Sequence, residues 1–321
     1  MKPQVIDLRG FGEIRDLRSR NTPVTQVSRF LAVLHLPLQS SARNRLLQLV
    51  RTKVTLQNSG PESYASLDSA CLIYGIPIYD PSPNISLVVR TKHTRRPTII
   101  GAHLKHLPVS RVTRHSRTLP DEAFTEIDNK PVLTPEYLIL ELLAQKSLEH
   151  AIVNADAAFA HFCHASNFHR KRTIDWFHRL LSRLRKILKS GRYRRCKRRI
   201  LRRLHYVSPW SQSPAETLFR LAMMRAGLPN PFQQYPFQTQ HSAGFVDFAW
   251  PTIGIGFEMD GKMKYTSHEV VIAERVREQK ARRFLPNFFR WMWDDLSDPS
   301  LTDRLRALFP RRVLSPPRRV W

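Results

Sequence analysis

The apolar positions change period several times along the chain, and each change marks an element. VSRFLAVLHL (27–36) and SARNRLLQLV (41–50) carry apolar residues at helical spacing, the first with the stripe of a buried helix. SYASLDSACLIYGIPI (63–78) predicts a small-residue helix that stops at Gly75 and Pro77. ISLVVRTKHTRRPTIIGAHLKHL (85–107) is rich in β-branched residues and is broken by a basic turn near residues 95–97; it predicts a hairpin or small sheet. VLTPEYLILELLAQKSLEHAIVNADAAFA (132–160) predicts two helices, one opened by Thr134 before Pro135 and the other by Ser147 with Glu149.

The last third has a different rhythm. SPAETLFRLAMMRAGLPNP predicts a helix capped by Ser213, with Pro214 in its first turn, and stopped by Gly227 and Pro229. Leu218, Leu221, Ala222 and Arg225 share one of its faces. FQQYPFQTQ, SAGFVDFAW and IGIGFEMDG alternate as strands, with a turn at Pro251 and Thr252. TSHEVVIAERVREQKARRF predicts a charged helix, FFRWMWDDL a strand and DPSLTDRLRALFP a closing helix. The fold class expected is α/β of the α+β kind.

Charge sharpens the picture. The chain has 321 residues, 52 of them Lys or Arg against 26 Asp or Glu, for a net charge of +26. Residues 170–204 alone hold 16 basic residues against one acid, Asp175. Such an excess points to a polyanionic partner, nucleic acid before an anionic membrane surface. Trp176, Leu180, Leu184, Ile187 and Leu188 fall near helical spacing, so an amphipathic helix is expected, with a break at Ser190 and Gly191. That helix reads as a linker packing one stripe, as a phosphate-contacting surface, or as a membrane-surface helix. For phosphate contact the candidates are Arg183, Lys186, Arg194, Arg195, Lys197, Arg198, Arg199 and Arg202. Three scattered cysteines, Cys71, Cys163 and Cys196, argue for a reducing compartment and against a zinc site. With no run of eighteen apolar residues, no membrane span is expected; a cytoplasmic protein is expected, and association with the nucleoid is compatible with it.

Candidate chemistry lies in the acids of the last strands. Phe245, Asp247 and Ala249 share one face of their strand, and Gly256, Glu258 and Asp260 share one face of the next. A short turn makes the strands antiparallel neighbours, so three carboxylates can converge. Burying unpaired carboxylates is costly, and a divalent cation would remove their repulsion. Mg²⁺ or Mn²⁺ is the expected cofactor, because a hard cation takes one or two carboxylates plus water and phosphate oxygens. Glu216 sits at capping-box spacing from Ser213 and could also lean toward such a site.

These residues carry two resemblances. SPAE (213–216), VDFAWP (246–251), FEMDG (257–261), RVREQKARR and RWMWDDL together resemble the PD-(D/E)XK nuclease superfamily, in its very-short-patch-repair-like branch. The resemblance implies a restriction-endonuclease-like domain over 213–310 in the order α-β-β-β-α-β-α. It also implies that Asp247 and Glu258 hold the metal and that Glu216 assists through water. Asp260 stands where the superfamily has its signature lysine, and the general base stays open among Lys262, Lys264, Tyr265, His268 and Lys280. The blocks SYASLDSACLIYGIPI, the strand-rich middle and NKPVLTPEYLILELLA followed by HAIVNADAAF resemble the AbiEi-like antitoxin family, which implies a winged-helix module ahead of a second subdomain.

The organisation expected is therefore a helical, winged-helix-like segment (1–60), an AbiEi-like region (61–169), a basic helical linker (170–212), the nuclease-like domain and a basic tail (311–321). The function expected is metal-dependent phosphodiester hydrolysis on DNA, with Asp247, Glu258, Asp260, Glu216 and Lys264 as catalytic candidates. The alternative is an antitoxin-like DNA-binding regulator on an inactive nuclease fold, with a toxin as its partner. A homodimer is compatible with either.

Overall fold

In the computed structural model, residues 4–7, 24–28, 31–34, 40–90, 98–100, 110–239, 242–260 and 278–317 are described. They form a mixed arrangement of helices and three sheets, two of which contain both parallel and antiparallel pairs. The chain divides into two compact units, 1–142 with 186–194, and 143–185 with 195–321.

In the first unit, β1 (Gln4–Asp7), β2 (Val24–Ser28) and β3 (Leu31–Leu34) form an antiparallel sheet in the order β1-β3-β2. This corrects the expectation of a helix over 27–36, which holds the end of β2 and all of β3. A short apolar run suits either period, and the registry with β1, distant in sequence, decides for the strand. The helix expected at 41–50 is present and longer, as α1 (Ser40–Gln57), burying Leu47, Val50 and Val54.

A six-stranded sheet follows in the order β6-β7-β5-β4-β9-β8. Its strands are β4 (Ser63–Ala65), β5 (Ile85–Val89), β6 (Thr98–Ile100), β7 (Ser110–Ser116), β8 (Phe124–Ile127) and β9 (Lys130–Leu133). The segment 85–107 thus contributes to a small sheet, but not as a hairpin: β7 lies between β5 and β6, parallel to the first and antiparallel to the second. Helix α2 (Leu67–Tyr74) ends where its sequence says, at Gly75 with φ of +76°. There the Gly75 amide donates to the Leu72 carbonyl and the Ile76 amide to that of Cys71, a paired closure that uses the last helical acceptors. Helix α3 (Pro135–Ala144) closes the unit's main run.

The second unit carries α4 (Leu148–Phe162), α5 (Arg170–Lys189), α6 (Lys197–Arg203), α7 (Pro214–Arg225) and α8 (Leu301–Ala307). Helix α5 belongs to this unit as far as Arg185. It is amphipathic as expected, burying Leu180, Leu181, Leu184 and Leu188, and it ends before Ser190 and Gly191, the latter at φ of +83°. Four strands, β10 (Phe232–Thr239), β11 (Ser242–Trp250), β12 (Ile255–Asp260) and β13 (Asn287–Met292), form a sheet in that order. The first three are an antiparallel meander, and β13 adds parallel to β12.

One core of this unit joins Ala215, Phe219, Met223 and Ala226 of α7 to Phe248, Phe257, Trp291 and Phe309. Phe219 lies 5.4–5.9 Å, ring to ring, from Phe248, Phe257 and Trp291. A second, smaller cluster gathers Phe237, Val246, Ala249, Phe288, Leu285 and Ala281, the last in a helical turn at 278–281. Gly256 is required there, since a Cβ would meet Leu285 Cδ1 at 2.8 Å. Of the face shared by Leu218, Leu221, Ala222 and Arg225, Leu221 is buried and the other three are half-buried. The helix is buried on two sides, and its other side packs on α4.

That second contact is polar. Asp156 of α4 is 1% exposed and accepts from the Ser208 amide (2.8 Å), Thr217 Oγ1 (2.8 Å) and Arg220 Nη2 (2.6 Å). Arg220 is itself 6% exposed. The cation and the carboxylate are thus both withdrawn from water and paired with each other, and Arg220 Nη1 also donates to the Tyr206 carbonyl.

Candidate functional site

The strand registers align four polar residues in one row across the sheet. Gln233 pairs with Phe248 and Tyr235 with Val246, which sets Gln234 of β10 opposite Asp247 of β11. Phe248 pairs with Phe257, which sets Asp247 opposite Glu258 of β12, and Glu258 is in turn registered with Arg290 of β13. The sequence-predicted pair Asp247 and Glu258 is therefore brought together.

Asp247 is held on both oxygens. Oδ1 accepts from Gln234 Nε2 (3.1 Å) and Oδ2 from the Met259 amide (2.9 Å). Gln234 is 3% exposed and stands at φ of +51°, a left-handed backbone rarely adopted by a residue with a side chain. Its Nε2 also donates to Glu216 Oε2 (3.3 Å), while its Oε1 accepts from Asn167 Nδ2 (3.0 Å). Asn167 thereby fixes which end of the amide faces the two carboxylates.

Glu216 lies in the first turn of its helix and accepts from the Gln234 amide group that also meets Asp247. Ser213 Oγ accepts from the Glu216 amide (3.2 Å), completing the N-cap of α7, and Glu216 Oε2 accepts from the Gln212 amide (3.0 Å). Burial, reinforced by the neighbouring Asp247 charge, pushes the Glu216 carboxyl up from 4.5 to about 7. A carboxyl raised in the folded state binds a proton there that the unfolded chain has already released, so stability falls as pH rises from about 4.5 to 7. In metal-free buffer the wild type is expected to lose about 2 kcal/mol relative to Glu216→Gln between pH 5 and pH 8. Urea midpoints of both proteins across that range measure it, and parallel pH profiles would refute it.

Glu258 is 4% exposed and meets Arg290 Nη2 at 3.1 Å. Asp260, at the position of the signature lysine, lies 3.2 Å from Arg290 Nε, and Glu278 lies 3.8 Å from Arg290 Nη1. The strand acids were expected to need a divalent cation to offset their repulsion. Arg290 already provides a counter-charge to Glu258 and Asp260, so their presence in a central strand has an explanation without metal. Lys280 is half-buried in the turn at 278–281, next to Arg290's third partner. Lys262, Lys264, Tyr265 and His268 lie outside the described residues.

Among the described residues no group of three or more His, Cys, Asp or Glu is arranged to hold a metal ion. Mg²⁺ asks less than that, since it often keeps several waters and takes only one or two carboxylates. Gln234, Arg290 and Asn167 were not anticipated from sequence. The one available signal was Arg290 itself: a guanidinium inside the aromatic strand FFRWMW needs an acidic partner.

The basic candidates fall into two groups. Arg183, Lys186, Arg194, Arg195, Arg198 and Arg202 are exposed, and Lys197 and Arg199 are half-buried. Arg203, in the same run, turns inward instead. It is 2% exposed and donates to the carbonyls of Leu143 (2.8 Å) and Lys146 (2.9 Å) and to that of Gln145. Burial, with Arg199 and Arg202 nearby, lowers its pKa to about 10. The three cysteines are buried, and none forms a disulfide among the described residues. No helix among the described residues is long and apolar enough to cross a membrane.

No protein-family model, curated protein or solved structure matches the chain.

Proposed function

We propose that residues 213–310 form a metal-dependent nuclease-type domain of the PD-(D/E)XK kind that hydrolyses phosphodiester bonds in DNA. The observation that carries this reading is that Asp247 shares the amide of the strained Gln234 with Glu216 and is registered opposite Glu258 on the adjacent strand. The element order over 214–307, helix, antiparallel meander, parallel fourth strand, helix, supports it. So does the oxygen-only donor set, which suits a hard cation. Asp247 and Glu258 would hold Mg²⁺ or Mn²⁺. A bound ion would lower the pKa of an attacking water and offset charge on the phosphate. Glu216, raised to about 7, can take up a proton near neutral pH at its carboxylate. The exposed arginines and lysines of 183–202 would bind backbone phosphates without reading sequence. The AbiEi-like region would take part in delivery to DNA in the cytoplasm.

One observation favours the alternative, an antitoxin-like regulator that keeps the fold as a binding platform. Arg290 ion-pairs with Glu258 and Asp260, as a relic site without metal would require. Plasmid cleavage in Mg²⁺ or Mn²⁺ decides between them, with Asp247→Ala and Glu258→Ala proteins checked for folding by circular dichroism. Metal-dependent nicking by the wild type, lost in both variants, is the expected result. No cleavage of DNA or RNA, with salt-sensitive binding unchanged in both variants, would move the assignment to the regulator.

A further inference from the structure

The start of α5 presents an aromatic and basic cleft that the row of carboxylates does not include. It measures about 460 Å³, within the range of ligand pockets, and Phe168, Lys171, Arg172, Asp175, Trp176 and Arg179 line it. Phe168 is 82% exposed, an unusual state for the largest apolar residue of a short turn (Asn167–His169). It is nonetheless not loose, since its ring meets Phe245 of β11 edge-on at 5.3 Å. Arg179 lies 5.5 Å from the Trp176 ring centre. Lys171, Arg172 and Arg179 are exposed, with Asp175 as the one carboxylate in the lining. Cations and rings alternate here over less than four helical turns, Phe168 exposed and Trp176 half-buried with Arg179 over one face.

Hydrogen bonds link the residues at the cleft to the acid row. Asn167, immediately before Phe168, donates to Gln234 Oε1, and Arg170 Nη1 donates to the Gln234 carbonyl at 3.2 Å. Arg170 is fixed for this by two rings, Trp210 at 3.9 Å and Phe232 at 4.5 Å from its guanidinium carbon. Gln234 then donates to Asp247 and Glu216. One residue separates the wall of the cleft from the carboxylates.

We infer that this cleft binds single-stranded nucleic acid, with unpaired bases stacked on Phe168 and Trp176 and phosphates on Lys171, Arg172 and Arg179. A duplex keeps its base faces stacked on each other and has no use for an exposed phenyl ring, whereas a single strand offers a π-face at every base. The step beyond binding, delivery of the strand to Asp247 and Glu258, rests on the nuclease reading. The binding itself does not.

The test is fluorescence anisotropy in EDTA, using a labelled oligothymidine of about 15 nucleotides and a duplex of the same length. Phe168→Ala and Trp176→Ala are compared with wild type, all with equal urea midpoints required. Each substitution is expected to weaken single-strand binding about tenfold and duplex binding far less. Equal single-strand affinity in both variants would overturn the inference. So would Phe168-dependent binding to phosphatidylserine vesicles with none to the oligonucleotide, which would make the cleft a lipid-surface contact. The two readings fail separately. Phe168-dependent strand binding by a protein that cleaves nothing keeps the cleft and removes the nuclease. Metal-dependent cleavage with strand affinity indifferent to Phe168 and Trp176 does the reverse.

Discussion

Asp156→Ala is expected to shift the urea midpoint far below that of wild type, with a loss of about 3–5 kcal/mol. The substitution removes the carboxylate that pairs with Arg220 among the described residues and leaves a guanidinium at 6% exposure, held only by the Tyr206 carbonyl and the Met224 sulfur in that set. It also leaves the Ser208 amide and the Thr217 hydroxyl without their acceptor. Asp156→Asn, which keeps the shape and one carbonyl oxygen, should lose less. Removing the cation as well, in Asp156→Ala with Arg220→Met, should recover part of the loss, because no buried charge is then stranded. A single-variant loss below about 1 kcal/mol would mean that water or rearrangement reaches the pair, and the burial argument would fail. The effect matters for the site because the same contact anchors α7, whose first turn carries Glu216.

Arg290→Met should lower stability by about 2–3 kcal/mol, less than the first case because the Arg290 side chain remains 23% exposed. Methionine keeps much of the stem, so the change isolates the charge. Glu258, at 4% exposure, and Asp260 would then face Asp247 with less positive charge nearby. The informative arm is metal. If the acids form a cation site, Mg²⁺ or Mn²⁺ should raise the urea midpoint of Arg290→Met more than that of wild type, since ligand binding to the folded state alone stabilises it. An equal response in both proteins would mean that Arg290 and the metal do not share the acids. No response in either would weigh against a metal site on these residues.

The local part of this arrangement was legible in the sequence. Ser213 and Pro214 fix the start of α7, Gly227 stops it, and the four-residue turn between Trp250 and Ile255 makes β11 and β12 neighbours. From that alternation the nearness of Asp247 and Glu258 follows directly. What was not legible depends on distant pairing. Arg290 reaches Glu258 through a parallel register across 32 residues, which no local periodicity encodes. Gln234 acts through a backbone angle that its sequence neighbours do not announce. The interior side of α7 was not legible because the helix is covered on two sides, so Phe219 and Arg220 are both interior and no single stripe stands out. The same ambiguity turned 27–36 from an expected helix into strands.

The parallel pairing of β12 with β13 also has a consequence in time. During synthesis, Gln234, Asp247 and Glu258 leave the ribosome well before Arg290, because domains emerge from the amino end onward. Until the later strand arrives, the meander carries its acids without that counter-charge. Pairing distant segments is also the slow step of such topologies, since the loop must close before its contacts form. The order of emergence thus makes Arg290 the residue that completes the sheet, and a chain paused before it is the species most exposed to solvent, proteases and stray cations.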